Sequence, residues 1–179
     1  MKKLIAVSVL CLAPIAFAVA QTGQPGAKGN PLVDGVRMDY TMVKTFVTKA
    51  SEQIPDKLYG YRPTPEVRTF AQLFGHIADG NYEFCAAATG AKPPVRGIEK
   101  SKSAKADVVK AVGESFAYCD KAFASMTDAD AAKMMDFGNP MARLGIMAMN
   151  TSHDNLHYGN IVTYLRLNKM VPPSSQPPR

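Results

Sequence analysis

The 179 residues suit a single domain of ordinary size, and Lys and Arg outnumber Asp and Glu by 21 to 15, a formal charge of +6. The basic residues, among them Arg62, Arg68, Lys92, Arg96, Lys100, Lys102 and Lys105, are scattered over faces and loops and are not interleaved with aromatics in a stripe. That arrangement describes a solvated surface and argues against a nucleic-acid partner.

Met1 to Ala20 reads as a secretory signal peptide. Lys2 and Lys3 supply the positive start, Leu4 to Val19 is apolar apart from Ser8 and Pro14, and Ala18-Val19-Ala20 offers small residues for cleavage before Gln21. The apolar run is short and has no basic flank behind it, so no membrane partner is expected once the signal is removed. Cys11 follows Leu10, where a lipoprotein signal would want a small residue. Cleavage removes two lysines and no acid, lowering the charge from +6 to +4, and leaves an exported protein, periplasmic or secreted.

Residues 21–31, rich in Gly and Pro, form a flexible leader. From Leu32 to Ile54 the apolar residues Val36, Tyr40, Val43 and Val47 recur at helical spacing, and Pro55 stops the run. Asp56 to Pro63 is a connection that folds back on the bundle. Thr64-Pro65-Glu66 predicts a helix start, with a hydroxyl cap and a proline at the first helical position, and this second helix runs to Thr89 along Phe70, Leu73, Phe74, Ile77, Phe84 and Cys85. Gly90 to Lys100 is a long loop able to carry the chain to the other end of the molecule. A third helix spans Ser103 to Met126 on a seam of Val109, Val112, Phe116, Cys119 and Phe123. Thr127 to Asn139 is a packed linker, and a fourth helix starts at Pro140 and continues to Asn168. No stretch predicts a strand. Residues 172–179 form a Pro-rich, non-helical tail. Four amphipathic helices over residues 32–171 make an all-α four-helix bundle, whose core is where facing helices assemble metal sites.

The chain holds three histidines, and two of them, His153 and His157, stand four residues apart on one helix. Positions i and i+4 share a face about 5–6 Å apart, so both imidazoles can reach one ion. His76 lies on the second helix beside its apolar stripe. If it faces the pair, the three nitrogens make one site with an open coordination position, for which zinc is the first expectation and nickel the second. Asp79 and Asn150 are the candidates to orient the imidazoles. The sequence carries no glycine-rich phosphate loop, no Gly-x-Ser-x-Gly elbow and no zinc-ribbon cysteine pair.

Arg62-Pro63-Thr64-Pro65-Glu66-Val67-Arg68, His76-Ile77-Ala78, Asn81-Tyr82, and above all His153-x-x-x-His157-Tyr158-Gly159 with Tyr164-Leu165-Arg166 and Val171-Pro172-Pro173 resemble the DinB superfamily of DinB/YfiT-like bundles. The resemblance spans Leu32 to Ser174. It implies an up-down-down-up path, often in homodimers, and a divalent metal held by His76, His153 and His157. Relatives include thiol-dependent transferases and metal-dependent hydrolases. The export signal argues against a cytosolic thiol as co-substrate and favours a metal-dependent hydrolase acting on an unidentified small molecule. A family-type transferase and a non-catalytic metal-binding or interaction bundle are the alternatives.

Cys85 and Cys119 are the two cysteines that outlast signal cleavage. If the family path makes the second and third helices parallel, the two sulfurs lie at heights differing by about 7 Å, and an exported protein can keep them as a disulfide.

Overall fold

The computed structural model describes residues 29–177; the signal peptide and most of the leader expected from the sequence lie outside the described residues. Helix α1 (Pro31–Gln53) opens on a proline whose missing N–H costs nothing there, and the Asp128 carboxylate accepts the next two amides, from Leu32 at 3.1 Å and Val33 at 3.0 Å. Helix α1 thus starts one residue before the expected Leu32. At its other end α1 gives way to extended Ile54 ahead of Pro55, and a 3-10 turn at Asp56–Leu58 follows.

Helix α2 (Phe70–Thr89) begins five residues later than a cap at Thr64 would place it. The operative cap is Thr69, whose hydroxyl accepts from the Gln72 amide while the Gln72 side chain returns to the Thr69 amide. Thr64 to Arg68 forms turns instead, braced by Arg62 donating to the Pro65 carbonyl, because nothing in that stretch offers an apolar stripe to bury; Val67 is 39% exposed. Gly90 ends the helix in the left-handed region, at φ 73°.

The expected loop after α2 contains a short helix, α3 (Ile98–Ser101), and leads to α4 (Lys105–Ala124). One turn, α5 (Asp128–Ala131), precedes two four-residue strands, β1 (Met134–Phe137) and β2 (Asn139–Ala142), paired antiparallel around Gly138 at φ 75°. This hairpin corrects the expectation of no strand. Pro140 sits inside β2, and the last helix, α6 (Arg143–Leu167), starts three residues after it. So short a hairpin leaves no alternation to read, yet it is held by half-buried Met135 and Phe137, the latter 5.3 Å from the Phe84 ring of α2.

Helix α2 packs between α4 and α6, and α1 completes the bundle against the same two helices. Paired contacts set the directions. Asn81 meets Ser115 and Cys85 is bonded to Cys119, both 34 residues apart, so α2 and α4 run parallel. His76 meets His153, Asn81 meets Asn150 and the Ala88 carbonyl meets Arg143, so α2 and α6 are antiparallel. Helix α1 runs with α6, since Phe46 stacks on Tyr158 and Gln53 reaches Val171, and against α4, since Tyr40 bonds to Asp120 while Val33 meets Asp128. The path is up-down-down-up. Tyr40, Phe74, Phe116, Phe123, Ile146 and Ile161 fill the centre, and past α6 the tail makes a 3-10 turn at Pro173–Ser175 tied to the Tyr158 hydroxyl.

The Cys85–Cys119 disulfide spans Cα atoms 5.3 Å apart in the buried α2–α4 contact. Closing a loop of 34 residues stabilises the fold by about 4 kcal/mol in the chain-entropy account. Denaturant unfolding of the double variant Cys85→Ala, Cys119→Ala is therefore expected to show a loss of that order. A loss under about 1 kcal/mol would mean that the bond adds little.

Candidate metal centre

His76, His153 and His157 converge where α2 and α6 cross, with one nitrogen from each ring lying within 4.8 Å of the others. His76 Nε2 and His153 Nε2 are 3.2 Å apart, and the ring centroids are separated by 5.0 Å (76 to 153), 4.6 Å (76 to 157) and 4.6 Å (153 to 157). The pair on α6 comes from the i, i+4 spacing; the third ring comes from packing. His157 is buried at 7% exposure, while the side chains of His76 and His153 keep 28% and 18%. The cluster therefore opens toward solvent on the side of these two.

Two glycines of α2 make the convergence possible. A Cβ at Gly80 would lie 2.6 Å from His153 Cε1, so only a residue without one lets that imidazole lie against the helix. A Cβ at Gly75 would lie 2.7 Å from the Glu99 Cα, so Gly75 is what admits α3. Asp79 then holds α3 down by accepting the Ile98 and Glu99 amides at 2.9 and 3.0 Å. The Glu99 carboxylate accepts from His76 Nδ1 at 2.8 Å through one oxygen and from Arg68 Nε at 2.8 Å through the other. On the far side, the Phe84 ring stands 5.5 Å from that of His153.

Of the two residues expected to orient the imidazoles, neither hydrogen-bonds one. Asp79 acts at one remove, by fixing the backbone of Glu99. Asn150 is buried and donates to Asn81 Oδ1 at 2.8 Å, and Asn81 donates to the Ser115 hydroxyl, a polar link across α6, α2 and α4. Glu99, which does touch a histidine, went unnoticed in the sequence because it lies in a segment read as loop. The clue was there in principle: a connection joining parallel helices must cross α2, and an acid on it can meet a histidine.

The family model of the DinB superfamily matches residues 46–161. The chain belongs to the DinB superfamily. Solved structures agree on the fold: a DinB-like protein from Bacillus cereus superposes with a TM-score of 0.70 at 16% identity, covering 78% of this chain and 95% of its own. The DinB-like protein YjoA from Bacillus subtilis gives 0.65 at 17% identity, covering 82% of this chain and 99% of its own. A comparison with curated proteins gives no significant match.

In this DinB member the surroundings of His76 and His157 favour their uncharged forms. Burial lowers the His157 pKa to about 4, and the neighbouring histidines and Arg68 push the same way. His76 is lowered too, by burial and then by Arg68, against the opposing pull of Glu99. Burial alone would raise Glu99, but its bonds from Arg68 and His76 outweigh that and hold it ionised. Asp154, fully buried behind the cluster, has no hydrogen-bond partner for either oxygen among the described residues, and burial raises its pKa to about 6.

The donor set fits a divalent cation. Glu99 accepts from Nδ1 of His76, which leaves Nε2 of that ring with its lone pair directed at the other two histidines. The 3.2 Å between the two Nε2 atoms is close to the edge of a tetrahedron with zinc–nitrogen bonds, about 3.3 Å. His153 Nδ1 is buried without a partner and lies 3.6 Å from Asp154 Oδ1, also without one. Were an ion held at Nε2, the His153 proton would sit on Nδ1, 3.6 Å from that carboxylate.

Gly80→Ala is expected to preserve helical content while lowering metal affinity by on the order of tenfold, because the His153 ring must move off α2. Unchanged affinity in a metal titration would show that this contact does not set the ring. Acidity gives a second check on chelator-treated protein. A histidine whose folded pKa lies below its unfolded value binds its proton more readily unfolded, so its contribution is complete above about pH 6.5 and is lost as the pH falls toward 4. Wild-type protein is therefore expected to lose more stability than His157→Gln across that window, Asp154 contributing equally to both. Identical pH profiles in denaturant titrations would contradict this.

Proposed function

We propose that this protein is an exported, metal-dependent hydrolase whose metal, zinc or nickel, is held by His76, His153 and His157. The observation carrying the reading is the meeting of three imidazoles, one already turned by Glu99 so that its free nitrogen faces the other two. When bound, such an ion supplies Lewis acidity toward water or a carbonyl oxygen at a position left free by three protein nitrogens.

The chain's own part is positioning. Glu99 keeps the proton of His76 on Nδ1, and Arg68 keeps Glu99 in place. Phe84 and Phe137 form an apolar wall beside His153, which keeps water from that flank. Export is supported by the form of Met1 to Ala20 and by the buried Cys85–Cys119 disulfide, a bond that persists in oxidising compartments.

Metal analysis of the purified mature protein, followed by screening of ester, amide and thiol substrates, tests the proposal. One equivalent of zinc or nickel is expected, with ester or amide hydrolysis abolished by chelation and restored by the ion. His153→Ala is expected to lose most of the metal, because two imidazoles hold a divalent ion far less firmly than three. Stoichiometric metal in His153→Ala would exclude the three-histidine site. Metal binding without hydrolysis would leave a non-catalytic bundle.

A further inference from the structure

One turn beyond the histidines, the same two helices line a second cavity. On α6 the face that carries His157 continues to Asn160 and Tyr164, and on α2 the face that carries His76 begins at Gln72, both lining an open pocket of about 540 Å³ closed by the turns before α2. Glu99 belongs to both places: it lines this pocket and bonds His76. Glu99 thus joins the pocket to the histidine cluster, which lies about one helical turn, about 5 Å, along the same helices.

The polar groups in the pocket are mainly donors. Arg68 gives Nε to Glu99, and neither of its two terminal nitrogens has a partner among the described residues. Arg62 gives one terminal nitrogen to the Pro65 carbonyl, and its other N–H groups are likewise unpartnered among the described residues. Gln72 and Asn160 add side-chain amides. Of the two carboxylates present, Glu99 has both oxygens bonded, and Glu66 stands at the exposed rim. Tyr164, its hydroxyl bonded to the Arg68 carbonyl at 3.1 Å, supplies a wall.

We infer that this pocket binds the oxyanion, a carboxylate or a phosphate, of a small molecule whose reactive group lies at the histidine cluster. Planar guanidinium groups with free N–H forks match both anions bidentately, and the match is stronger beside a partly buried wall than in open water. Calling that molecule the substrate rests on the hydrolase reading; the pocket's preference for an oxyanion does not.

The test uses the folded mature protein after chelator treatment, so that metal plays no part. Succinate, inorganic phosphate and uncharged succinamide are titrated in turn, and the side-chain amide signals of Gln72 and Asn160 are followed by NMR. Saturable shifts with succinate, phosphate or both are expected, with none from succinamide, and the anion that binds identifies the oxyanion. Binding is expected to weaken about tenfold or more in Arg62→Gln, and to weaken in about 0.5 M salt. Arg68→Lys, which keeps the charge but loses the planar fork, is expected to weaken it as well. No saturable shift with either anion, equal shifts with succinamide, or undiminished binding in both variants would overturn the inference. Should the protein bind these anions yet never take up zinc or nickel, the pocket stands and the hydrolase reading falls.

Discussion

The close approach of α2 to its neighbours is the constraint on which the rest depends. Gly75 and Gly80, five residues apart, remove the Cβ atoms that would collide with the Glu99 backbone and the His153 ring. A helix interior tolerates each glycine at a cost of about 1 kcal/mol in propensity, a cost that the packing of a buried helix readily offsets. With those two contacts allowed, α3 lies across α2 and α6 lies along it. His76 is then enclosed by one element that supplies its carboxylate partner and another that supplies its fellow histidines.

Rigid support surrounds that crossing. The Cys85–Cys119 bond and the Asn150–Asn81–Ser115 chain tie α2 to α4 and α6 a turn or more from the histidines. Asp79 caps α3 from a different helix, so the acid that orients His76 is itself held through its backbone. Position is thereby transmitted from the core outward to the His76 ring. Sites held in this way lose little entropy when a ligand arrives.

Charge is distributed with the same economy. Arg68 neutralises Glu99 on the solvent side, whereas Asp154 is buried with neither oxygen satisfied among the described residues. Such a carboxylate is costly in an apolar interior unless something positive lies close by. His153 Nδ1, also unpartnered among the described residues, lies 3.6 Å from Asp154 Oδ1, so these two orphaned groups make sense together as the two halves of one interaction.

Periodicity was sufficient for the bundle: the seams through Val36, Tyr40, Val43 and Val47 and through Val112, Phe116, Cys119 and Phe123 are the faces that pack, because a 3.6-residue repeat dictates which side chains a helix can bury. The same arithmetic put His153 and His157 together, and family likeness supplied the path that brings His76 and the two cysteines to their partners. Local chemistry misled where two signals competed. Thr64-Pro65-Glu66 has the form of a helix start, but burial begins at Phe70, so Thr69 with Gln72 became the cap. The hairpin at Met134–Ala142 was too short to show an alternation, and Pro140, taken for a helix start, serves a strand. What only the tertiary structure decided is the role of Glu99, of Gly75 and Gly80, and of Asp79 and Asn150. Each of these depends on contacts between segments 19 or more residues apart, and no local pattern records such a contact. The sequence by itself determined which residue types could meet an ion and which faces would be buried. Which groups touch them follows from how the helices cross.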